Sequence, residues 1–280
     1  MESKIISGRE ISKCIMRQLK IKTEHFFDDS GRRPQLALIA AGNNRSQLSY
    51  VKGIENACGK IGMQMQSFLL DESADTKYVL SIIGRLNEDK NTDGILVEFP
   101  LLSDIDEFAV CNAVDPDKDI DGITVKNAGN FYRGLKCYIP CTAKSILYLV
   151  KYTGISISGK HAVVIGRSNI VGKPAAALLL KEDATVTICH SKTRNLKGYM
   201  VNADIIVSAA GVPSLIKHDM IKEGAIVIDA GTSIRDGKLT GDVEFEEACR
   251  KASWITPVPG GVGPVTCAML LENTLEAAVK

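Results

Sequence analysis

The chain has 280 residues, of which 45% are hydrophobic, 24% charged and 5% aromatic, with a formal net charge of +1. This globular composition excludes collagen-like, low-complexity and wholly disordered chains. Near-neutrality leaves no global field to gather nucleic acid or an anionic membrane, and the few aromatics argue against a base-stacking platform. No apolar run approaches the ~20 residues that span a bilayer. No signal-like apolar segment follows the charged start. Eight cysteines stand at 14, 58, 111, 137, 141, 189, 249 and 267 without any Cys-x-x-Cys. The expectation is a cytoplasmic protein with reduced thiols. His25, His161, His190 and His218 never fall at ligand spacing, so no metal site is expected.

Apolar residues near helical period place a first helix over 5–27. Residues 35–40 (QLALIA) read as a buried strand, 47–61 as a helix, 65–70 as a strand and 76–87 as a helix. Residues 94–99 (GILVEF) form a third strand, stopped by Pro100. Residues 103–121 turn acidic. Asp104, Asp106 and Glu107 read as a solvated loop, whereas the tight run 115–122 (DPDKDIDG) stands apart. A second series follows Pro140: a helix over 142–152, a strand over 162–166 (AVVIG) and a helix over 172–180. Strands over 185–190, 204–209 and 225–229 come next, and a last helix covers 265–278. Strands alternating with helices imply βαβ units and parallel sheets. The expected fold is α/β. A parallel-sheet domain over 1–139 precedes a doubly wound, Rossmann-type dinucleotide-binding domain over 140–267. The hinge falls near 133–141, and the last helix, about 268–280, packs back on the first domain.

Residues 166–174 (GRSNIVGKP) join a strand directly to a helix. This is the place of the Rossmann phosphate turn, without its G-x-G-x-x-G spacing. Gly166 permits a tight turn, Gly172 allows close helix packing, and the helix start offers N–H groups to an anion. A plain βα turn is the competing reading. An NAD site places a carboxylate at the end of the second strand for the ribose hydroxyls. Here that strand ends in His190, Ser191, Lys192 and Thr193, and Arg167 lies in the turn. Cations and hydroxyls suit a 2′-phosphate, so the expected cofactor is NADP rather than NAD.

Several stretches coincide with one family: Tyr50-Val51, 93–97 (DGILV), 116–122 (PDKDIDG), 140–142 (PCT), 164–174 (VIGRSNIVGKP) and 257–264 (PVPGGVGP). Together they resemble the methylenetetrahydrofolate dehydrogenase/methenyltetrahydrofolate cyclohydrolase family, from about residue 5 to the end. The resemblance implies a catalytic domain, an NAD(P) domain, a cleft between them and a homodimer that binds a reduced folate. The implied dehydrogenase step moves a hydride from the folate methylene carbon to nicotinamide. The implied cyclohydrolase step adds water to the resulting methenyl cation. By resemblance, Gly166, Arg167 and Ser168 hold the cofactor, with His190, Ser191 and Thr232 nearby. Tyr50 lines the pterin and aminobenzoate region, and Asp121 accepts the amino-pyrimidine edge. Pro259 and Gly260 shape the folate pocket.

Three positions depart from the family pattern. The family carries Tyr-Val-x-x-Lys, its lysine central to cyclohydrolase chemistry, whereas residues 50–54 read YVKGI and place Ile54 at that position. The supporting glutamine of V-Q-x-P is Glu98. The histidine often found after Asp-Gly is absent from 122–126 (GITVK). Lys52 sits about 200° around the helix from Ile54 and cannot replace the lysine. Hydride transfer rests on positioning and cation stabilisation, which an ionised Glu98 favours. Hydration needs a positioned acid/base, worth ~10²–10⁴-fold. With Tyr50, Glu98 and Asp121 as the catalytic set, the expectation is an NADP-dependent dehydrogenase with weak or absent cyclohydrolase activity. The alternatives are a full bifunctional enzyme, an amino-acid or shikimate-type dehydrogenase, and a non-catalytic folate- or nucleotide-binding relative.

Overall fold

The computed structural model describes residues 4–42, 45–235 and 237–280, the side chains of 45 and 46 excepted. Contacts divide the chain into two units, residues 1–13 with 142–266, and residues 14–141 with 267–280. The chain opens with β1 (Lys4–Ile5) and α1 (Gly8–Ser30).

The unit of residues 14–141 and 267–280 alternates strand and helix. Its elements are β2 (Gln35–Ala41), α2 (Arg45–Ile61), β3 (Gln64–Leu70), α3 (Thr76–Glu88), β4 (Gly94–Val97), α4 (Glu107–Ala113) and α5 (Val125–Tyr132). The three strands pair in parallel in the order β3-β2-β4. All of β4, and β2 from Leu36 onward, are buried, as expected of parallel strands covered on both faces. Amphipathic α3 buries Val79, Ile82, Ile83 and Leu86 against this sheet. The Asp75 carboxylate caps it, accepting from the Tyr78 N–H at 2.8 Å.

The acidic run 115–122 lies along the edge of β4. The Ile95 N–H donates to the Lys118 carbonyl at 2.7 Å, and Ile95 bridges Asp119 in parallel register. Asp119 is fully buried. Its carboxylate accepts from the Ile123 N–H (2.9 Å), the Thr124 N–H (2.9 Å) and Asn127 Nδ2 (2.8 Å), which fixes the start of α5. The Lys118 ammonium donates to the carbonyls of Leu86, Asn87 and Asp89 at 2.7–2.8 Å, where the α3 dipole favours a cation. The run is thus bolted to the sheet edge and two helices. Two residues read as part of a solvated loop also have structural work. Asp106 caps α4 through the Ala109 N–H at 3.0 Å, and Glu107 accepts from the Leu101 N–H at 3.1 Å.

The other unit contains most of α6 (Cys141–Tyr152), then β5 (His161–Ile165), α7 (Gly172–Lys181), β6 (Thr185–Cys189), α8 (Leu196–Met200), β7 (Ile205–Ser208) and β8 (Ile226–Asp229). A hairpin of β9 (Ser233–Arg235) and β10 (Lys238–Thr240) follows, then α9 (Phe245–Ala248), β11 (Trp254–Ile255) and the start of α10 (Val262–Ala278). Six parallel strands run β1-β11-β8-β7-β5-β6. The strand order reverses about β5, with β6 on one side and β7 on the other. In doubly wound sheets the ligand crevice opens there, at the carboxyl ends of the strands.

The structure departs from the sequence reading at several ends. The first helix starts at Gly8, because residues 4–5 pair with β11 instead. By contacts, residues 4–13 group with 142–266. The third strand stops at Val97 and the last helix starts at Val262. Replacing Asp119 with Ala leaves three donors, two of them in buried hydrogen bonds, without this acceptor. The variant should lose about 3 kcal/mol of unfolding free energy, measured by urea denaturation.

Candidate folate and dinucleotide site

On α2, Tyr50, Ile54 and Cys58 are spaced one helical turn apart and share a face. Ile54 is 1% exposed, whereas Lys52 is exposed on the opposite side. Glu98 follows β4 directly, its N–H donating to the Ile39 carbonyl at 2.9 Å. Asp121 stands two residues past the Ile95–Asp119 bridge, in the turn that follows, near enough for its charge to act on Glu98. The Asp121 carboxylate accepts from the Cys141 N–H at 2.7 Å.

These side chains share one electrostatic environment. Burial pushes the Tyr50 phenol well above the usual tyrosine range, helped by the nearby Glu98, Cys267, Asp121 and Cys141. Tyr50 therefore stays a neutral O–H donor near pH 7. Burial first, then the charge of Asp121, pushes Glu98 up to about 7. Burial also pushes Asp121 up to about 6, against the pull of its hydrogen bonds from Cys141. Burial raises the Cys58 and Cys267 thiols to about 12 and 11, so they are not nucleophiles at neutral pH. The cluster is a phenol donor and two carboxylates, with only methyl groups at Ile54. It can accept a donor-rich heterocycle edge and stabilise a developing cation. Ile54 can neither donate nor carry a proton. Residues 123 and 124 serve the fold: Ile123 packs on the apolar core, and Thr124 caps α5 by accepting from the Asn127 N–H at 3.2 Å.

In the other unit, Gly166 turns the chain after β5 with φ +127°, and its N–H donates to the Cys189 carbonyl at 2.9 Å. A Cβ on Gly166 would run into the Ala209 carbonyl, and one on Gly172 into the Gly166 carbonyl. This is a cradle that only glycine leaves open at a helix start, and it fits a pyrophosphate. Ser168 Oγ shapes the turn by accepting from the N–H groups of Val171 (3.1 Å) and Gly172 (3.3 Å). Arg167 and Ser168 are exposed. After β6, the His190 N–H donates to Thr193 Oγ1 at 2.8 Å and the Lys192 N–H to His190 Nδ1 at 3.2 Å, leaving Ser191 and Lys192 exposed. Thr232 is exposed in the loop after β8. Pro259 follows a cis peptide bond, and the Gly260 carbonyl accepts from the Arg9 N–H at 3.1 Å. Both belong to the unit of residues 142–266, whereas Tyr50, Glu98 and Asp121 belong to the other.

Sequence reasoning missed Cys141 and Cys267 beside Tyr50, and two buried acids, Asp229 and Asp242, at the carboxyl ends of the six-stranded sheet. No periodicity marks either pair; the Gly-Asp step at 241–242 is the one local cue.

Comparison with known proteins agrees along the chain. Residues 6–121 match the catalytic domain of tetrahydrofolate dehydrogenase/cyclohydrolase, and residues 140–280 match its NAD(P)-binding domain. The chain belongs to the tetrahydrofolate dehydrogenase/cyclohydrolase family. A bifunctional protein FolD of Clostridium tetani is 47% identical over 271 residues, 97% of this chain and 98% of its own length. The crystal structure of the bifunctional FolD from Campylobacter jejuni superposes with a TM-score of 0.95 at 41% identity, covering 99% of both chains. The Trypanosoma brucei FolD, complexed with NADP and an inhibitor, gives 0.96 at 38% identity, covering 100% of this chain and 98% of that one.

The position of Glu98 has a consequence for stability. Its pKa is about 7 in the folded chain against the ordinary 4.5, so folding favours the protonated form. That contribution is complete below about pH 4.5 and is lost as pH rises through 7. Glu98→Gln is neutral at every pH. Relative to wild type it should gain about 2 kcal/mol of stability between pH 5 and pH 8, read by urea denaturation at both pH values.

Proposed function

We propose that this protein oxidises 5,10-methylenetetrahydrofolate to the 5,10-methenyl compound with NADP, and has little or no methenyl cyclohydrolase activity. The observation that carries the second half is Ile54, buried on the Tyr50 face of α2 where the family has its lysine. The family resemblance supports a homodimer in the cytoplasm.

Asp121 accepts the amino-pyrimidine edge of the folate, held for that task by the Cys141 N–H. The neutral Tyr50 lines the pterin and aminobenzoate region and offers its O–H as a donor. Pro259 and Gly260 shape the folate pocket. Gly166, Arg167, Ser168, His190, Ser191 and Thr232 hold the cofactor, which when bound supplies the hydride acceptor. Arg167, with Ser191 and Lys192 beside His190, gives the 2′-phosphate cations and hydroxyls and no carboxylate. Loss of hydride leaves a cation delocalised over two folate nitrogens, and an ionised Glu98 lowers its energy. Since Glu98 titrates near 7, oxidation should quicken as pH rises through that value.

Hydration of the methenyl carbon needs a proton taken from water and another delivered to nitrogen as the ring opens. A positioned acid/base contributes ~10²–10⁴-fold to such steps, and Ile54 has no proton to move. One observation favours a bifunctional enzyme instead: a carboxylate titrating near 7 can itself take a proton from water.

One assay separates the two readings. Methenyltetrahydrofolate absorbance should decay at the buffer rate with wild-type enzyme. Ile54→Lys with Glu98→Gln should accelerate the decay. An enzyme-dependent rate in wild type that Glu98→Gln abolishes establishes the bifunctional reading. For the cofactor, NADP should be turned over faster than NAD at equal low concentration. Arg167→Ala should raise KM for NADP about tenfold and leave KM for NAD unchanged.

A further inference from the structure

Three loops leave the carboxyl ends of β5, β7 and β8, where a doubly wound sheet binds its dinucleotide. They are the Gly166 turn, residues 209–212 and residues 230–232. A ligand spanning them gains most if they are already held in one arrangement, because ordering them costs binding energy. One side chain touches two of the three. Asp242 is fully buried, and its carboxylate accepts four hydrogen bonds from the end of β7 and the loop after it. Oδ2 takes the Ser208 hydroxyl (2.7 Å), the Ala210 N–H (2.8 Å) and the Gly211 N–H (3.2 Å), and Oδ1 takes the Val212 N–H (2.8 Å). On its other side the same carboxylate abuts Gly231, so closely that a Cβ there would run into it. Gly231 directly precedes Thr232.

Further contacts complete the array. The Ser233 hydroxyl donates to the Gly211 carbonyl at 2.9 Å, linking the second and third loops again. The Gly166 turn packs on Ala209, leaving no room for a side chain between them. Asp242 is itself held from behind. Its carbonyl accepts from the Ile216 N–H at 2.9 Å, and Asp229 accepts from the Val243 N–H at 2.9 Å. An uninterrupted series of contacts therefore runs from Gly166 through Ala209 and the 210–212 N–H groups to Asp242, Gly231 and Thr232.

We propose that Asp242 is a positioning residue for the half of the dinucleotide that lies over β7 and β8. It holds the 209–212 and 230–232 loops in one arrangement without touching the cofactor. This inference rests on the NADP reading above. It also makes a spatial distinction. His190 and Ser191, proposed for the 2′-phosphate, stand after β6 on the far side of the strand-order reversal, and Arg167 follows β5 at the reversal itself. Asp242 should matter for the whole dinucleotide and not for its 2′-phosphate fragment.

The test is Asp242→Asn, which keeps the shape of the side chain. Whichever way the amide is turned, its NH2 faces either the Val212 N–H or the Ala210 and Gly211 N–H groups, and an acceptor is lost. Calorimetric titration with NADP and with adenosine 2′,5′-bisphosphate gives the readout. The NADP Kd should rise about tenfold while the bisphosphate Kd stays within about twofold of wild type. Unchanged binding of both ligands overturns the proposal, and so does equal weakening of both, which marks general loosening of the domain. Should Asp242→Asn fail to fold, Ser208→Ala removes one of the four donors. It should show the same selectivity at about threefold, and its absence counts equally against the proposal. Wild-type protein that binds neither ligand refutes the NADP reading itself.

Discussion

A buried carboxylate must be surrounded by donors or give up its charge. Asp119 is surrounded by donors. It has no exposure and takes three hydrogen bonds, two of them from backbone N–H groups at the start of α5. Those bonds commit the chain from 115 to 124 to one path along the edge of β4, with Lys118 anchored on the last carbonyls of α3. Asp121 cannot choose its own position: it is two residues beyond a fixed bridge, and its carboxylate is met by the Cys141 N–H. The acidic run is a rigid arm that delivers one acid to one place.

The second outcome follows from that placement. Asp121 stands near the half-buried Glu98, where burial first and then the charge of Asp121 disfavour a second negative charge. A glutamine at 98 would feel no such penalty, and a lysine at 54 would offset it. The chain has neither. Burial first, and then the charge of Asp121, pushes the carboxylate at 98 up to about 7. The site is then best matched to a bound group that is itself positive. A methenyl cation is such a group, whereas water is not.

Much of this was legible before the structure. Short apolar runs gave the strands because parallel strands are buried on both faces, as in β2 and β4. The face of α2 followed from helical period alone, which puts Ile54 with Tyr50 and turns Lys52 away. Short elements were not legible. Lys4 and Ile5 form a strand only because Trp254 and Ile255 lie beside them, and no local pattern announces a pairing 250 residues distant. Asp106 and Glu107 look like solvent-facing charges in sequence, yet cap one helix and close one turn. Asp242 was invisible for the same reason. Its partners at 208–212 are some thirty residues away, and burial of an acid is a property of the fold.

Asp119 and Asp242 are the same device in two unrelated loops. Each puts a carboxylate where several backbone N–H groups converge, and each is followed by the start of an ordered segment. A hydroxyl or amide could satisfy part of such an array, but only a carboxylate offers acceptors in every direction with no donor to misplace. The device also explains the glycines around it. Gly231 must lack a side chain because Asp242 occupies the space, and Gly166 because Ala209 does. An anion-binding turn is therefore built from the outside inward. A buried acid fixes the loop, the loop sets the space left for glycine, and the glycines leave room for a phosphate. A chain of net charge +1 can in this way hold an anionic ligand with a few local groups.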